Sequence, residues 1–188
     1  MSEDSPLRAA VFAAAVFAVS VGIGVAVVAG NPSIGAEMMT LFSEEVVAGL
    51  LSDSAAVLAG KLFLNNLGVC LILFLGGASF GVVTGLVLAV NGLLIGMVTE
   101  VVRQEHGLLY IAAALAPHGI FEIPAFLVAG GLGLLLGKEL LAEWYGRGDA
   151  AGRAVPLAGL FLRTVVPLLV LAAVVEAFIT PAVLSMIA

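Results

Sequence analysis

Charged side chains are scarce in this sequence. Only 11% of its 188 residues are Asp, Glu, Lys or Arg, whereas 62% are hydrophobic. A soluble domain carries about a quarter charged residues, so this composition excludes an ordinary soluble globule. It indicates a polytopic protein of the cell membrane, and we expect an all-α transmembrane helical bundle with the lipid bilayer as its surroundings.

Lysine and cysteine are also rare. The chain has two lysines, Lys61 and Lys138, and a net charge of −6. A phosphate-binding surface needs clustered positive charge, so we predict no nucleic-acid partner. An acidic, lysine-poor surface is typical of proteins in concentrated salt and favours a halophilic source. The one cysteine, Cys70, lies in an apolar run, and we expect it to pack as a small buried hydrophobe.

Long apolar runs predict about five spans, because each span needs about twenty residues. The stretch 62–102 is too long for one helix and sufficient for two. We expect one membrane domain, 1–188, with the following segments in order: a first span (7–29), an amphipathic connector (33–60), the second and third spans (62–102), a fourth span (108–137), a cytoplasmic loop (138–156) and a last span (157–187).

The connector contains an amphipathic pattern, with Met39, Phe42, Val46 and Leu50 on one helical face. This pattern predicts a helix at the membrane interface or over the bundle. Its polar face is acidic, so attraction to anionic lipid is not its purpose.

The positive-inside rule orients the five spans. With the N-terminus inside, four basic residues are cytoplasmic and two are outside. The inside group is Arg8, Lys138, Arg147 and Arg153, and the outside group is Lys61 and Arg103. An alternative topology keeps 62–89 as one long helix and makes 91–116 a re-entrant hairpin, which would place the basic loop outside.

The run Leu115 to Ala125, LAPHGIFEIPA, interrupts an apolar segment with ionisable groups and helix disruptors. His118 and Glu122 are four residues apart and share one helical face. Pro117, Gly119 and Pro124 predict a broken helix. Non-helical backbone at membrane depth is tolerated only inside protein or along a wet cavity, so we expect this motif in the bundle interior.

Polar residues in other spans are the expected companions of this motif, since an ionisable side chain in lipid costs several kcal/mol unless it faces protein or water. They are Asn65, Asn66, Asn91 and Glu176, with Arg163 as a further polar residue. The set is compatible with structural contacts between helices, with a proton, ion or solute site, and with catalysis. His118, Glu122 and Glu176 also form a legitimate metal-ligand set, although nothing in the sequence requires a metal or another cofactor.

The segment GASFG, 77–81, allows two interpretations. It fits Gly-x-Ser-x-Gly, and Ser79 with His118 would make an intramembrane serine peptidase. The favoured interpretation is a ladder of small residues that lets helices pack closely. The packing glycines are Gly77, Gly81, Gly85, Gly92 and Gly96.

Several motifs follow one another in a distinctive order. They are Asn65-Asn66, Gly76-Gly77, Gly81, Asn91-Gly92, Gly96, 117–125, Gly130-Gly131, Gly133 and 176–181. In this order the chain resembles the stage II sporulation protein M family over about 62–181. In spore-forming bacteria the family member belongs to a membrane complex with peptidoglycan-degrading partners that drives septal thinning and engulfment. The resemblance implies helical membrane architecture and a scaffold or helper more than an enzyme.

We therefore expect an integral membrane assembly or scaffold protein with a buried His/Glu site, acting as a homo-oligomer or with a membrane protein partner. The alternative is a transporter or channel-like protein that binds a proton, cation or small polar solute at His118 and Glu122. A membrane hydrolase is the second alternative, and we favour a non-enzymatic role over it.

Overall fold

The computed structural model describes residues 5–35, 37 and 54–186, and this described part is helical without strands. The predicted interfacial helix with Met39 and Leu50 lies outside these residues. Four helical stretches of the described part are long and apolar enough to cross a membrane: Pro6–Gly30, Ala55–Ser79, Val82–Trp144 and Ala150–Leu184. The elements are α1 (Pro6–Gly30), α2 (Ala55–Leu75), a 3₁₀ turn (Gly76–Ser79), α3 (Val82–Trp144), α4 (Ala150–Val174), a π-helical turn (Val175–Ile179) and α5 (Thr180–Leu184).

Helix α3 is broken at Gly107, which has φ 82° and ψ 175°. This backbone conformation is essentially confined to glycine, because a Cβ would clash with the main chain. Gly107 follows the polar run 103–106, so the break lies where the sequence leaves the apolar pattern. We call residues 82–106 the first arm of α3 and residues 108–144 the second arm.

The two arms of α3 run antiparallel against each other. A methyl group at Gly130 would lie 2.9 Å from the side chain of Leu88, and one at Gly133 would lie 2.8 Å from Oγ1 of Thr84. From Thr84 to Leu88 the residue numbers of the first arm rise, whereas the residues that they contact in the second arm fall from Gly133 to Gly130. Gly107 therefore reverses the chain and forms a helical hairpin.

The predicted helix break at Pro117, Gly119 and Pro124 requires a correction. Both prolines lie inside the second arm, and Gly107 is the one position of α3 with non-helical φ and ψ. A proline removes one backbone hydrogen bond and crowds the preceding turn, but a membrane helix packed among neighbours accommodates this loss. Reversal of the chain needs a left-handed residue, and Gly107 provides it.

Helix α1 lies parallel to the first arm of α3. A methyl group at Gly92 would come within 2.8 Å of the Phe17 carbonyl oxygen, and one at Gly96 would come within 2.9 Å of the Val21 carbonyl carbon. The backbones of the two helices are therefore in direct contact. Gly92 and Gly96 serve packing within the chain.

Helix α1 also packs against the second arm, here in antiparallel direction. A methyl group at Gly131 would lie 2.6 Å from the backbone nitrogen of Ala10, and the rings of Phe17 and Phe126 are 5.3 Å apart. Helix α1 thus occupies the groove between the arms of the hairpin.

The predicted ladder of Gly77, Gly81 and Gly85 is not a continuous helical face. Gly77 lies in the 3₁₀ turn, and Gly81 has φ 84° and precedes α3. A methyl group at Gly85 would meet nothing within 4 Å. The left-handed residues Phe80 and Gly81 break the helical register that the i, i+4, i+8 spacing assumes.

Helices α2 and α4 complete the bundle. Oγ1 of Thr84 donates a hydrogen bond of 2.8 Å to the Leu73 carbonyl of α2, and the rings of Phe74 and Phe161 are 5.4 Å apart. The buried hydrophobic core joins all four long helices and includes Ala13, Cys70, Leu73, Leu88, Ala125, Ala129, Leu132, Val165 and Leu169.

The connection between α3 and α4 is short. The second arm continues to Trp144 and α4 begins at Ala150, so both helices extend into the stretch 138–156 that hydropathy assigns to a loop. Side chains cap the start of α4: Asp149 accepts a hydrogen bond from the Gly152 amide, and Glu143 accepts one from the Ala150 amide. Hydropathy marks where apolar residues end, whereas these capped helices continue into polar sequence.

Candidate functional site

A cavity of about 240 Å³ lies in the middle of the bundle. Residues from α1, α2, both arms of α3 and α4 line it. Its polar lining comes from Asn65, Asn66, Asn91 and Glu122, and its apolar lining includes Phe17, Cys70, Phe126 and Leu169. Asn65 is the middle residue of the 21-residue helix α2, so the cavity is far from both helix ends.

The asparagines of the cavity bond locally. Nδ2 of Asn65 donates to Oδ1 of Asn66 at 3.3 Å, and Nδ2 of Asn91 donates to the Val87 carbonyl of its own helix at 2.9 Å. Within the described part of the chain, no hydrogen bond joins an asparagine to Glu122. The three asparagines, which were predicted as companions of Glu122, thus line one cavity with it but do not hydrogen-bond to it.

His118, Glu122 and Glu176 form a compact cluster, which we call the His–Glu–Glu cluster. One ligand atom from each side chain lies within 4.8 Å of the other two. His118 and Glu122 come from consecutive turns of the second arm, and Glu176 comes from the chain beyond α4. Two elements that are distant in sequence therefore meet at this point.

A π-helical turn, Val175–Ile179, carries Glu176 into the cluster. Oγ1 of Thr180 donates to the Val175 carbonyl at 3.4 Å, and Pro181 has no amide proton with which to continue the α-helical pattern. A π turn changes the direction of the side chains it contains and is frequent at functional sites. In this chain the turn belongs to the Glu-Ala-Phe-Ile-Thr-Pro motif.

The polar atoms of the cluster lack protein partners. Nδ1 of the His118 imidazole is buried and has no hydrogen-bond partner in the part of the chain that the structure describes. Among the same residues no hydrogen bond or ion pair reaches the carboxylates of Glu122 and Glu176. Buried polar atoms are almost always satisfied, so the cluster is suited to an additional ligand such as a proton or a metal ion.

The predicted pair of Ser79 and His118 is not assembled. Oγ of Ser79 donates to the Gly76 carbonyl at 2.6 Å and accepts from the Val83 amide at 2.8 Å, so it serves as a local cap. A methyl group at Gly137 would lie 2.9 Å from Cα of Gly81, and His118 precedes Gly137 by 19 residues in the second arm. That separation is a rise of about 28 Å, which excludes a serine–histidine contact.

One buried polar group near the Gly107 hairpin was not among the predicted site residues. Glu100 is 3% exposed and accepts hydrogen bonds from Arg103, at 2.7 and 2.6 Å, and from Gln104, at 2.9 Å. The i, i+3 and i, i+4 spacing of these residues is the signal that could have identified the cluster from sequence. Arg163, by contrast, is exposed on α4 and precedes Glu176 by 13 residues, which is a helical rise of about 20 Å.

Comparison with protein families identifies the family of this chain. The family model described as Stage II sporulation protein M matches residues 13–181, a range that contains the cavity and the His–Glu–Glu cluster. Searches of curated proteins and of solved structures found no match.

Proposed function

The chain belongs to the stage II sporulation protein M family of membrane proteins, and on this basis we propose that it is a multi-pass, non-enzymatic assembly or scaffold component of the cell membrane. We also propose five crossings. The arms of α3 are antiparallel, and their 25 and 37 residues correspond to about 37 and 55 Å of helix, more than the roughly 30 Å of a hydrocarbon core.

Close backbone packing beyond the cavity is the observation that carries the scaffold proposal. A methyl group at Gly131 would contact the backbone of Ala10, and one at Gly133 would lie 3.0 Å from the carbonyl carbon of Leu73. These contacts close the half of the bundle that contains the start of α1. A permeation path needs polar groups through the whole membrane depth. Backbones in direct contact leave no room for such groups in this half of the bundle, so the packing favours a local polar site over a continuous pore.

The distribution of basic residues supports the orientation of the scaffold. The contact between Gly131 and Ala10 places the start of α1 beside the last part of the second arm. Four basic residues share this end of the bundle: Arg8, Lys138, Arg147 and Arg153. By the positive-inside rule we assign it to the cytoplasm.

A second candidate function has its own support. The cavity presents amides and a carboxylate from several helices, which favours binding of a proton, a cation or a small polar solute. Reconstitution separates the two functions. We expect that the chain, isolated from native membranes without a crosslinker, runs as a complex larger than its 19.0 kDa and catalyses no proton or cation flux in liposomes. A monomer with a flux that Glu122→Gln abolishes would establish the transport function instead.

Within the scaffold we assign the His–Glu–Glu cluster a structural role as the junction between the second arm and the end of α4. Replacing His118 with alanine is expected to lower the melting temperature in detergent by several degrees. The change removes the imidazole from the cluster and leaves the two carboxyl groups close together, and a destabilising single substitution costs about 0.5–3 kcal/mol.

The matched control for His118→Ala is Glu105→Gln. Glu105 is an exposed carboxylate 3.8 Å from His106 at the hairpin end, and an exposed pair contributes about 0–1 kcal/mol. Equal melting temperatures for the two variants would contradict a structural junction at His118.

A further inference from the structure

We propose that His118, Glu122 and Glu176 bind a divalent transition-metal ion, with Zn²⁺ bound more tightly than Mn²⁺ and much more tightly than Mg²⁺. This inference rests on the proposed junction and identifies its ligand, which would connect the second arm of α3 to the π turn after α4. The cluster, its charge, its unpartnered imidazole and the neighbouring cavity support the proposal independently.

The geometry of the cluster is close to that of a metal site. The three ligand atoms lie within 4.8 Å of one another. Carboxylate and imidazole ligands bind Zn²⁺ tetrahedrally at about 2.0–2.2 Å, so two ligands of one ion are about 3.3–3.6 Å apart. Side-chain rotations that bring the ligand atoms about 1 Å closer together give the three atoms coordinating distance.

The charge of the cluster calls for a cation. Two carboxylates at membrane depth are costly and repel each other when both are ionised. Among the described residues, no lysine, arginine or hydrogen-bond donor pairs with either carboxylate. A divalent ion neutralises both charges at once, and the cluster then has no net charge.

The ligand types decide which ion is preferred. One imidazole and two carboxylates are ligands that first-row transition metals accept, and affinity at such a site rises from Mn²⁺ to Zn²⁺. Mg²⁺ requires near-ideal octahedral oxygen coordination and loses its water reluctantly. Nδ1 of His118, which is buried and without a partner, is either a ligand itself or the atom through which the ring is oriented when Nε2 binds.

The cavity beside the cluster supplies room for the remaining coordination positions. Glu122 belongs to both the cluster and the cavity lining. The volume of about 240 Å³ accommodates several waters, since one water occupies about 30 Å³ in the liquid. Asn66 and Asn91 offer polar groups on the same surface, so waters on the ion have hydrogen-bonding neighbours.

The test measures metal content and affinity on protein purified in detergent without a polyhistidine tag. After equilibration with Zn²⁺ and removal of free ion, we expect about one Zn²⁺ per wild-type chain by elemental analysis. Glu176→Gln and His118→Ala should weaken Zn²⁺ binding by at least about 100-fold, because even indirect partners of metal ligands change affinity by 10–100-fold. Glu105→Gln is the matched control, since it makes the same chemical change as Glu176→Gln at an exposed carboxylate outside the cluster.

A second measurement needs no variant. Zn²⁺ should raise the melting temperature of the wild-type chain, and a chelator should lower it to the metal-free value. Wild-type protein that retains no Zn²⁺, or that retains as much as the Glu176→Gln variant, would overturn the proposal. If His118→Ala still destabilises such metal-free protein, the structural junction stands without a metal ion.

Discussion

Replacing Gly96 with alanine is expected to destabilise the whole bundle, by about 1–3 kcal/mol or more. The added methyl group would meet the backbone of Val21, with the carbonyl carbon at 2.9 Å and Cα at 3.0 Å. Backbone atoms cannot rotate away as a side chain can, so α1 must separate from the first arm of α3. Overpacking of a well-packed interior costs this much even where side chains relax.

Gly85→Ala is the matched control for Gly96→Ala. It makes the same chemical change in the same arm, and a methyl group there meets nothing within 4 Å. Because alanine favours helix over glycine by up to about 1 kcal/mol, this variant should melt at or slightly above the wild-type temperature. Thermal unfolding in one detergent compares the three proteins, and similar melting of both variants would show that α1 does not contact the first arm at Gly96.

Replacing Gly107 with alanine is expected to disrupt the reversal of α3. With φ 82° and ψ 175°, residue 107 occupies a region in which any side chain is strained by about 1–3 kcal/mol. The two arms can relieve this strain only by changing the hairpin, which alters every contact between them. We expect a lower melting temperature and greater proteolytic cleavage near residue 107.

Gly119→Ala provides the comparison for Gly107→Ala. Gly119 lies inside the second arm, and an added methyl group would make an ordinary contact of 3.7 Å with Cδ1 of Ile123. It should tolerate alanine without loss of stability. If Gly107→Ala were equally tolerated, the hairpin would not depend on the left-handed conformation of residue 107.

Much of the architecture follows from composition and hydropathy. Apolar runs without charge identify the membrane class, and four helices of the described part satisfy the length and hydropathy of a span. Hydropathy also places the end of the third predicted span at 102 and the start of the fourth at 108, and Gly107 lies between these two positions. The motifs that resemble the stage II sporulation protein M family also lie within the matched range, 13–181.

The backbone conformation at individual residues did not follow from such patterns. Prolines at 117 and 124 indicate a break, yet the helix continues through them and reverses at Gly107 instead. The glycine spacing of 77, 81 and 85 indicates one helical ladder, yet Phe80 and Gly81 are left-handed. In each case the neighbouring helices determine whether a disruptive residue breaks the chain, and a local pattern does not contain those neighbours.

The amino-acid sequence alone was sufficient for the membrane class, the helical architecture and the position of His118 and Glu122 on one helical face, because hydropathy and i, i+4 spacing are local properties. Tertiary structure alone decided that α1 lies between two antiparallel arms and that Glu176 reaches the same point through a π turn. It also placed Gly81, two residues after Ser79, beside Gly137, which is a helical rise of about 28 Å from His118 along the second arm. Such distances depend on how helices pack, and in this bundle that packing is set by glycines whose backbone contacts come from residues distant in sequence.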